Sequence, residues 1–414
     1  MTANRADQRI LRNSIPFSPD APADFFLQFP PKPAVFALRG ADENAEPYVS
    51  KTSDLRRRLI RLLAPAESQS RRLNLRDRVA RIEYSLTGSD FESGVLLYHL
   101  LREEFPETYA RRLRLHHAAL IRLNLENAYP RAYVTNRLGK LTGKSLYYGP
   151  FRSRAVAEKY MNDSLDLFKI RRCTFELNPD PSYPGCVYSE MKMCLAPCFK
   201  GCTDEEYAAE VERVQAWFDS GGESLIAEYE AERDRLSADL QFEAAAEQHG
   251  RIAKLKSVAS GADELTHRID QLDALIIQRS AEPHNVVLFR FSHGALCGPV
   301  QVNMSEPGEA EPPPEIAEPS TSQPEPLDKR VHDAIESLVP PGARTATHTS
   351  EELALVKRWY HRTHKTGEIV IARRDGKLSL RKVVNACERV LRGQKPSAES
   401  TPVEPGPQDA AAQS

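Results

Sequence analysis

The sequence predicts an α+β chain assembled from several small units, and three observations carry that prediction. Residues 23–106 read as strand, strand, helix, strand, helix, the pattern of a small α/β unit. Five of the seven cysteines fall between Cys173 and Cys202, inside a loop broken by Pro and Gly. A long helical run from Thr203 to Lys256 then gives way to strand-like text from Leu265. The 414 residues are enough for two to four domains. The expected partition is 23–106, an α/β unit; 107–202, a basic linker and cysteine module; 203–260, helical; 265–304, a β segment; 305–328, a Pro- and Glu-rich disordered linker; 329–393, a C-terminal α/β part; and 394–414, a disordered tail.

In the first unit, Ala34–Leu38 and Pro47–Ser50 are short strands separated by a polar turn. Thr52-Ser53-Asp54 offers an N-cap for an Arg-rich helix with Leu55, Leu59, Leu62 and Leu63 on its apolar side. Ile82–Thr87 is a third strand, and Glu92–Glu104 a helix that stops before Pro106. Residues 107–128 are basic and predicted helical, with Leu113, Leu115, Leu120, Ile121 and Leu123 as apolar positions. The neighbours His116 and His117 point to different sides of such a helix and make a poor metal pair. A strand then leads into a YYGPF turn at Tyr147–Phe151, and Ser153–Phe168 is a helix delivering the chain to Cys173.

Cys173, Cys186, Cys194 and Cys198 are separated by twelve, seven and three residues. Four thiolates converging in an irregular loop hold Zn²⁺ or an iron–sulfur cluster. The alternative is four small buried apolar side chains, as free cysteines often are. Beyond the loop, Thr203-Asp204-Glu205-Glu206 is a capping box for a helix bearing Tyr207, Val211, Val214 and Phe218. From Ser224 to Lys256 there is a single Gly and no Pro, so periodicity alone gives one long helix or a coiled coil. Strands are expected at Ala274–Gln278, Val286–Phe291 and Ala295–Val302, the last two joined at His293-Gly294. Helices near Val331–Leu338, Ser350–His361 and Leu380–Leu391 and a strand near Glu368–Arg373 complete the chain.

The segment PGCVYSEMKMCLAPC, with YYGPF and LFKIRRC ahead of it, resembles the cysteine segment of the UvrC excinuclease family. The resemblance implies a 4Fe–4S cluster on Cys173, Cys186, Cys194 and Cys198, with zinc as the alternative and Cys202 as an extra. Residues 23–106 resemble the GIY-YIG nuclease domain of that family. Ala34-Val35-Phe36 stands where the family has Gly-Val-Tyr, Tyr48-Val49-Ser50-Lys51 where it has Tyr-Val-Gly-Lys, and SKTSDLRRRL follows its Arg-containing pattern. This implies Tyr48 and Arg58 as catalytic residues and Lys51, Arg56, Arg57 and Arg61 as DNA contacts. The family's metal-binding glutamate is replaced by Leu97 and its first tyrosine by Phe36, which puts divalent-metal catalysis in doubt because leucine ligates no cation. Glu92, five residues from Leu97, points off that face of the helix. LSADLQFEAAAEQHGRIAKLK resembles the UVR motif, whose L-x-F-E turn joins two antiparallel helices that dock on the excinuclease B subunit. That implies Leu240, Phe242, Glu243, Ala246 and Ile252 as partner-binding residues. The family's ribonuclease-H-like nuclease and terminal helix-hairpin-helix pair are not recognisable.

The net charge of −2 announces no nucleic-acid partner, but the basic runs Arg56–Arg61 and Arg71–Arg81 point to phosphate contact. No stretch is apolar enough to span a membrane and none resembles a secretory signal, so a reducing cytoplasm is the expected compartment. The expected function is a UvrC-like component of bacterial nucleotide-excision repair with impaired nuclease activity. The rivals are an active endonuclease making a single incision, a non-catalytic adaptor or competitor for the B subunit, and a nucleic-acid module unrelated to repair.

Overall fold

The computed structural model describes residues 10–42, 44–65, 73–305, 325–340, 342, 344–372 and 376–394. Arg71 and Arg72, Arg373, the linker residues 306–324 and the tail 395–414 lie outside the described residues. The fold is α+β, with three four-stranded antiparallel sheets.

The first sheet has the order β1 (Asn13–Pro16), β4 (Arg81–Leu86), β2 (Ala34–Arg39), β3 (Tyr48–Thr52). Helix α1 (Leu55–Leu63) begins where Asp54 accepts the Arg57 N–H at 2.9 Å, and it buries the four predicted leucines. Helix α2 (Asp90–Glu104) is capped by Ser89, which accepts the Glu92 N–H at 3.0 Å. Side chains alternate across a strand, so β2 serves both helices. Ala34, Phe36 and Leu38 pack with α1, while Val35 and Ala37 pack with Leu100 of α2.

The helix expected over 107–128 does not form. Helix α3 (Tyr109–Leu113) is halted by Arg114 in the left-handed region (φ 49°), and Ala119–Asn124 is strand β5. β5 is flanked on both sides, by β6 (Arg131–Thr135) and β7 (Ser145–Phe151), in the order β6-β5-β7-β8. A strand buried on both faces carries a continuous apolar run, which periodicity cannot distinguish from a buried helix. YYGPF is likewise the buried interior of β7 and not a turn. His117 is structural, its Nδ1 lying 2.9 Å from Ser350 Oγ. Helix α4 (Arg154–Leu165), the short α5 (Val187–Glu190) and α6 (Asp204–Ser220) follow. The capping box forms as its sequence predicts, with Thr203 Oγ1 accepting the Glu206 N–H and Glu206 accepting the Thr203 N–H.

The single helix that periodicity favours is two helices, α7 (Glu223–Ala238) and α8 (Phe242–Ala259). Leu240 adopts φ +62°, which reverses the chain, and Lys256 pairs with Glu230 across the hairpin at 2.9 Å. Gly250 lies in open space on α8 and costs about 1 kcal/mol relative to Ala without any packing reason.

Strand β8 (His267–Arg268) completes the second sheet. The third has the order β11 (Ala295–Asn303), β10 (Asn285–Ser292), β9 (Asp273–Arg279), β12 (Glu368–Ile371). The predicted turn at His293-Gly294 has positive φ at both residues (49° and 74°), the geometry of a tight hairpin. Helices α9 (Leu327–Ser337) and α11 (Leu380–Arg392) cover one face through Val331, Ile335, Val383 and Val390. Helix α10 (Ala346–Tyr360) covers the other and extends to α2, so that Phe91, Val95, Phe289, Val356 and Trp359 share one core.

Candidate functional site

The residues expected to form a nuclease centre are divided between the two sides of edge strand β3. Tyr48 packs on the α1 side and accepts a hydrogen bond from Arg58 Nη2 at 2.8 Å. The Phe36 ring is fully buried, 6.1 Å from the Tyr48 ring. Arg58 Nε is buried and has no hydrogen-bond partner among the described residues. Lys51 lies on the α2 side, donating to Asp90 at 2.6 Å, and Leu97 packs there against Val49 and the adjoining core. Asp90 also pairs with Arg362, from the turn after α10. Burial opposes ionisation of Asp90, but Lys51 and Arg362 outweigh it and hold its carboxyl below the ordinary range. Glu92 turns away as expected: it accepts the Gly88 N–H at 2.7 Å, and burial pushes its carboxyl up.

Of the expected DNA contacts on α1, Arg57 and Arg61 are exposed one helical turn apart. Arg56 is spent on the fold. Its Nε donates to Phe29 O at 2.7 Å and its Nη2 to Leu27 O at 3.0 Å, fastening the preceding segment to α1. Nothing in an Arg-rich run distinguishes such a brace from a free cation.

At the hairpin tip, Leu240 and Phe242 are 73% and 64% exposed, an apolar pair without cover among the described residues. Glu243 and Ala246 are exposed beside them. Ile252 is buried, so it holds the hairpin together and offers no surface.

The four cysteines occupy a loop whose turns use left-handed backbone at Lys192, Ala196 and Lys200. Cys173, Cys186 and Cys198 lie close enough for their charges to act on Cys194, whose thiol is pushed up to about 11, chiefly by burial. Burial raises Cys198 as well. The Ala196 N–H donates to Cys194 Sγ at 3.3 Å. Among the described residues no three His, Cys, Asp or Glu side chains are already disposed around one point as metal ligands. The donor chemistry nevertheless fits a thiolate-bound metal, and Arg171 supplies the supporting observation. Its guanidinium is buried, donates to Tyr129 O at 2.9 Å, to Phe175 O at 3.0 Å and to Cys173 Sγ at 3.7 Å, and has no carboxylate partner among the described residues. A buried cation needs a counter-charge, and Cys173, if deprotonated as a metal ligand, would provide it. Cys202 precedes the Thr203 cap of α6, its thiol raised by burial and by Glu206, Asp204 and Cys198.

Residues 119–217, from β5 into the last turn of α6, match the profile of the UvrC/Cho excinuclease middle domain. Over this stretch the chain is similar to UvrC proteins, as it is over the longer alignments that follow. It is 26% identical to the UvrABC system protein C of Symbiobacterium thermophilum over 67% of its own length and 43% of that relative's. The corresponding values are 26%, 66% and 45% for the protein of Methanothermobacter thermautotrophicus, and 24%, 66% and 42% for that of Rickettsia bellii. The matched region thus spans less than half the length of these UvrC relatives. No solved structure matches the chain. Among the described residues no helix is long and apolar enough to cross a membrane.

Arg171→Met keeps the stem and removes the guanidinium hydrogen bonds, leaving the carbonyls of Tyr129 and Phe175 without that donor. It is expected to cost about 2 kcal/mol or more in urea unfolding followed by tyrosine and tryptophan fluorescence.

Proposed function

We propose that this chain is a UvrC-like component of nucleotide-excision repair that binds DNA and the excinuclease B subunit, with its GIY-YIG-type nuclease chemistry lost. The observation that carries the loss is the surrounding of Leu97. Metal-assisted phosphodiester cleavage needs a carboxylate to fix the cation. Leucine stands at that position, and Asp90, the carboxylate lining the same cavity, is already held by Lys51 and Arg362. What remains, the Tyr48–Arg58 pair, serves packing and phosphate contact. DNA binding is assigned to the exposed Arg57 and Arg61 of α1 and to Lys51, and docking of the B subunit to the UVR-like hairpin tip at Leu240 and Phe242. Cys173, Cys186, Cys194 and Cys198 would hold a 4Fe–4S cluster, or zinc, which when bound ties the cysteine loop together and balances Arg171; metal binding and local folding are then one equilibrium.

Purified protein with Mg²⁺ or Mn²⁺ is expected to leave supercoiled and lesion-bearing duplex DNA uncut. Nicking that Arg58→Ala abolishes would establish the active-endonuclease alternative instead.

Phe242→Ala is expected to weaken binding to the B subunit by about 2 kcal/mol or more, the loss typical of an exposed aromatic anchor, without changing the melting temperature. Equal affinity of variant and wild type in titration calorimetry would remove the docking assignment.

Anaerobically prepared protein is expected to contain iron and sulfide, both lost in Cys194→Ser and Cys198→Ser and both kept in Cys202→Ser. Stoichiometric zinc without sulfide would replace the cluster while keeping the ligands. Metal-free wild type would return the four cysteines to small apolar side chains.

A further inference from the structure

A second row of cations lies on the opposite side of β3 from the α1 arginines, and it exists only because α10 seats against α2. Two adjoining cavities of about 220 and 350 Å³ share Lys51, Asp90, Trp359 and Arg362. Arg112 and Arg358 line the first, and Lys365 the second. Five cations therefore border the trough against one lining carboxylate, Asp90. Arg112 is partly engaged by Glu46 at 3.0 Å and lies over the Phe105 ring. Arg358 is exposed and has no carboxylate partner among the described residues. Lys365 stands 4.3 Å over the Tyr360 ring and makes no ion pair within bonding distance among the described residues, although Glu264, Asp263 and Glu368 lie near enough to act on its charge.

The two halves of the trough are fixed relative to each other. The Trp359 ring packs 5.3 Å from Phe91 of α2, and its Nε1 donates to Thr366 O at 3.0 Å, tying down the turn that carries Arg362 and Lys365. Buried Glu351 of α10 accepts hydrogen bonds from Tyr98 at 2.9 Å and Tyr109 at 2.8 Å. The cations are thus preorganised, so little conformational entropy is lost when an anion engages them.

We propose that this trough is a track for the sugar–phosphate backbone of a nucleic-acid strand, shared between the N-terminal sheet unit and the C-terminal part, with Asp90 occupying Lys51 and Arg362 until phosphates replace it. The proposal rests on the DNA-binding reading above and extends it to residues of the C-terminal part. A strand is favoured over a small anion because the cations do not converge on one point. Arg358 and Lys365 each line a different cavity, with the Lys51–Asp90–Arg362 bridge between them. Successive phosphates meet such a row one after another, and each neutralised phosphate releases counterions.

The test is fluorescence anisotropy of the full chain with labelled duplex and single-stranded DNA over a salt series. Arg358→Gln/Lys365→Gln is expected to lower the slope of log K against log[salt] by about 0.9 for each duplex phosphate left unneutralised, or about 0.7 on a single strand. Both side chains are exposed, so an unchanged melting temperature is expected alongside. Asp90→Asn is expected to bind DNA more tightly than wild type, because it frees two cations, an effect that a misfolded variant does not give. Arg57→Ala/Arg61→Ala reports the α1 face separately. Weakening by the α1 variant, with wild-type affinity and slope for both trough variants, would overturn the track and leave the DNA-binding reading standing. No DNA binding by wild type would overturn both. Saturable binding of a mononucleotide that the Arg358→Gln/Lys365→Gln variant loses, at an unchanged DNA slope, would overturn the track in favour of a small-anion site.

Discussion

Helix α2 is apolar on two faces, and a different sheet covers each. Leu100 and its neighbour Leu96 lie on the first sheet beside Val35 and Ala37, while Phe91, Val95, Tyr98 and Leu101 enter the core that holds Phe289, Val356 and Trp359. Leu97 sits at the seam and touches both clusters. Leu97 is half-buried and lines the cavity bordered by Lys51, Arg112, Arg358 and Arg362, so a carboxylate placed there would meet cations of this chain. The same seam brings the C-terminal part onto the N-terminal unit and sets what surrounds position 97.

Much of the local structure was legible because its signals are short-range. The α1 cap, the capping box of α6, the His293-Gly294 turn and the leucine face of α1 each depend on residues within a few positions of one another. Strand β5 was not legible, since burial on both faces erased the alternation that marks a half-exposed strand. The break at Leu240 was legible only through the resemblance of LQFE to a known turn; a leucine with positive φ carries no signal of its own. Arg56, an apparent phosphate contact, became a brace because its acceptors are backbone carbonyls, which a sequence does not display.

The candidate sites divide along the same line. The cysteines announce themselves by clustering, and the cations flanking them are visible in the text. That Arg171 is buried and Arg172 is neutralised by Asp166 at 2.7 Å requires the fold. The Lys51–Asp90–Arg362 bridge joins residues that only the packing of α10 on α2 brings together, so no window along the chain could reveal it.

Gly88, at the turn into α2, meets the backbone of the third sheet. A Cβ there would lie 1.9 Å from Arg279 O and 2.3 Å from the carbonyl carbon of Ser280. Its φ is not in the left-handed region, so the requirement is for space and not for conformation. Position 88 therefore works as a spacer gauge between two sheets. A related chain that carries alanine, or anything larger, at the equivalent turn must hold its sheets farther apart, and the identity of this one residue separates homologues able to adopt the present juxtaposition from those obliged to find another.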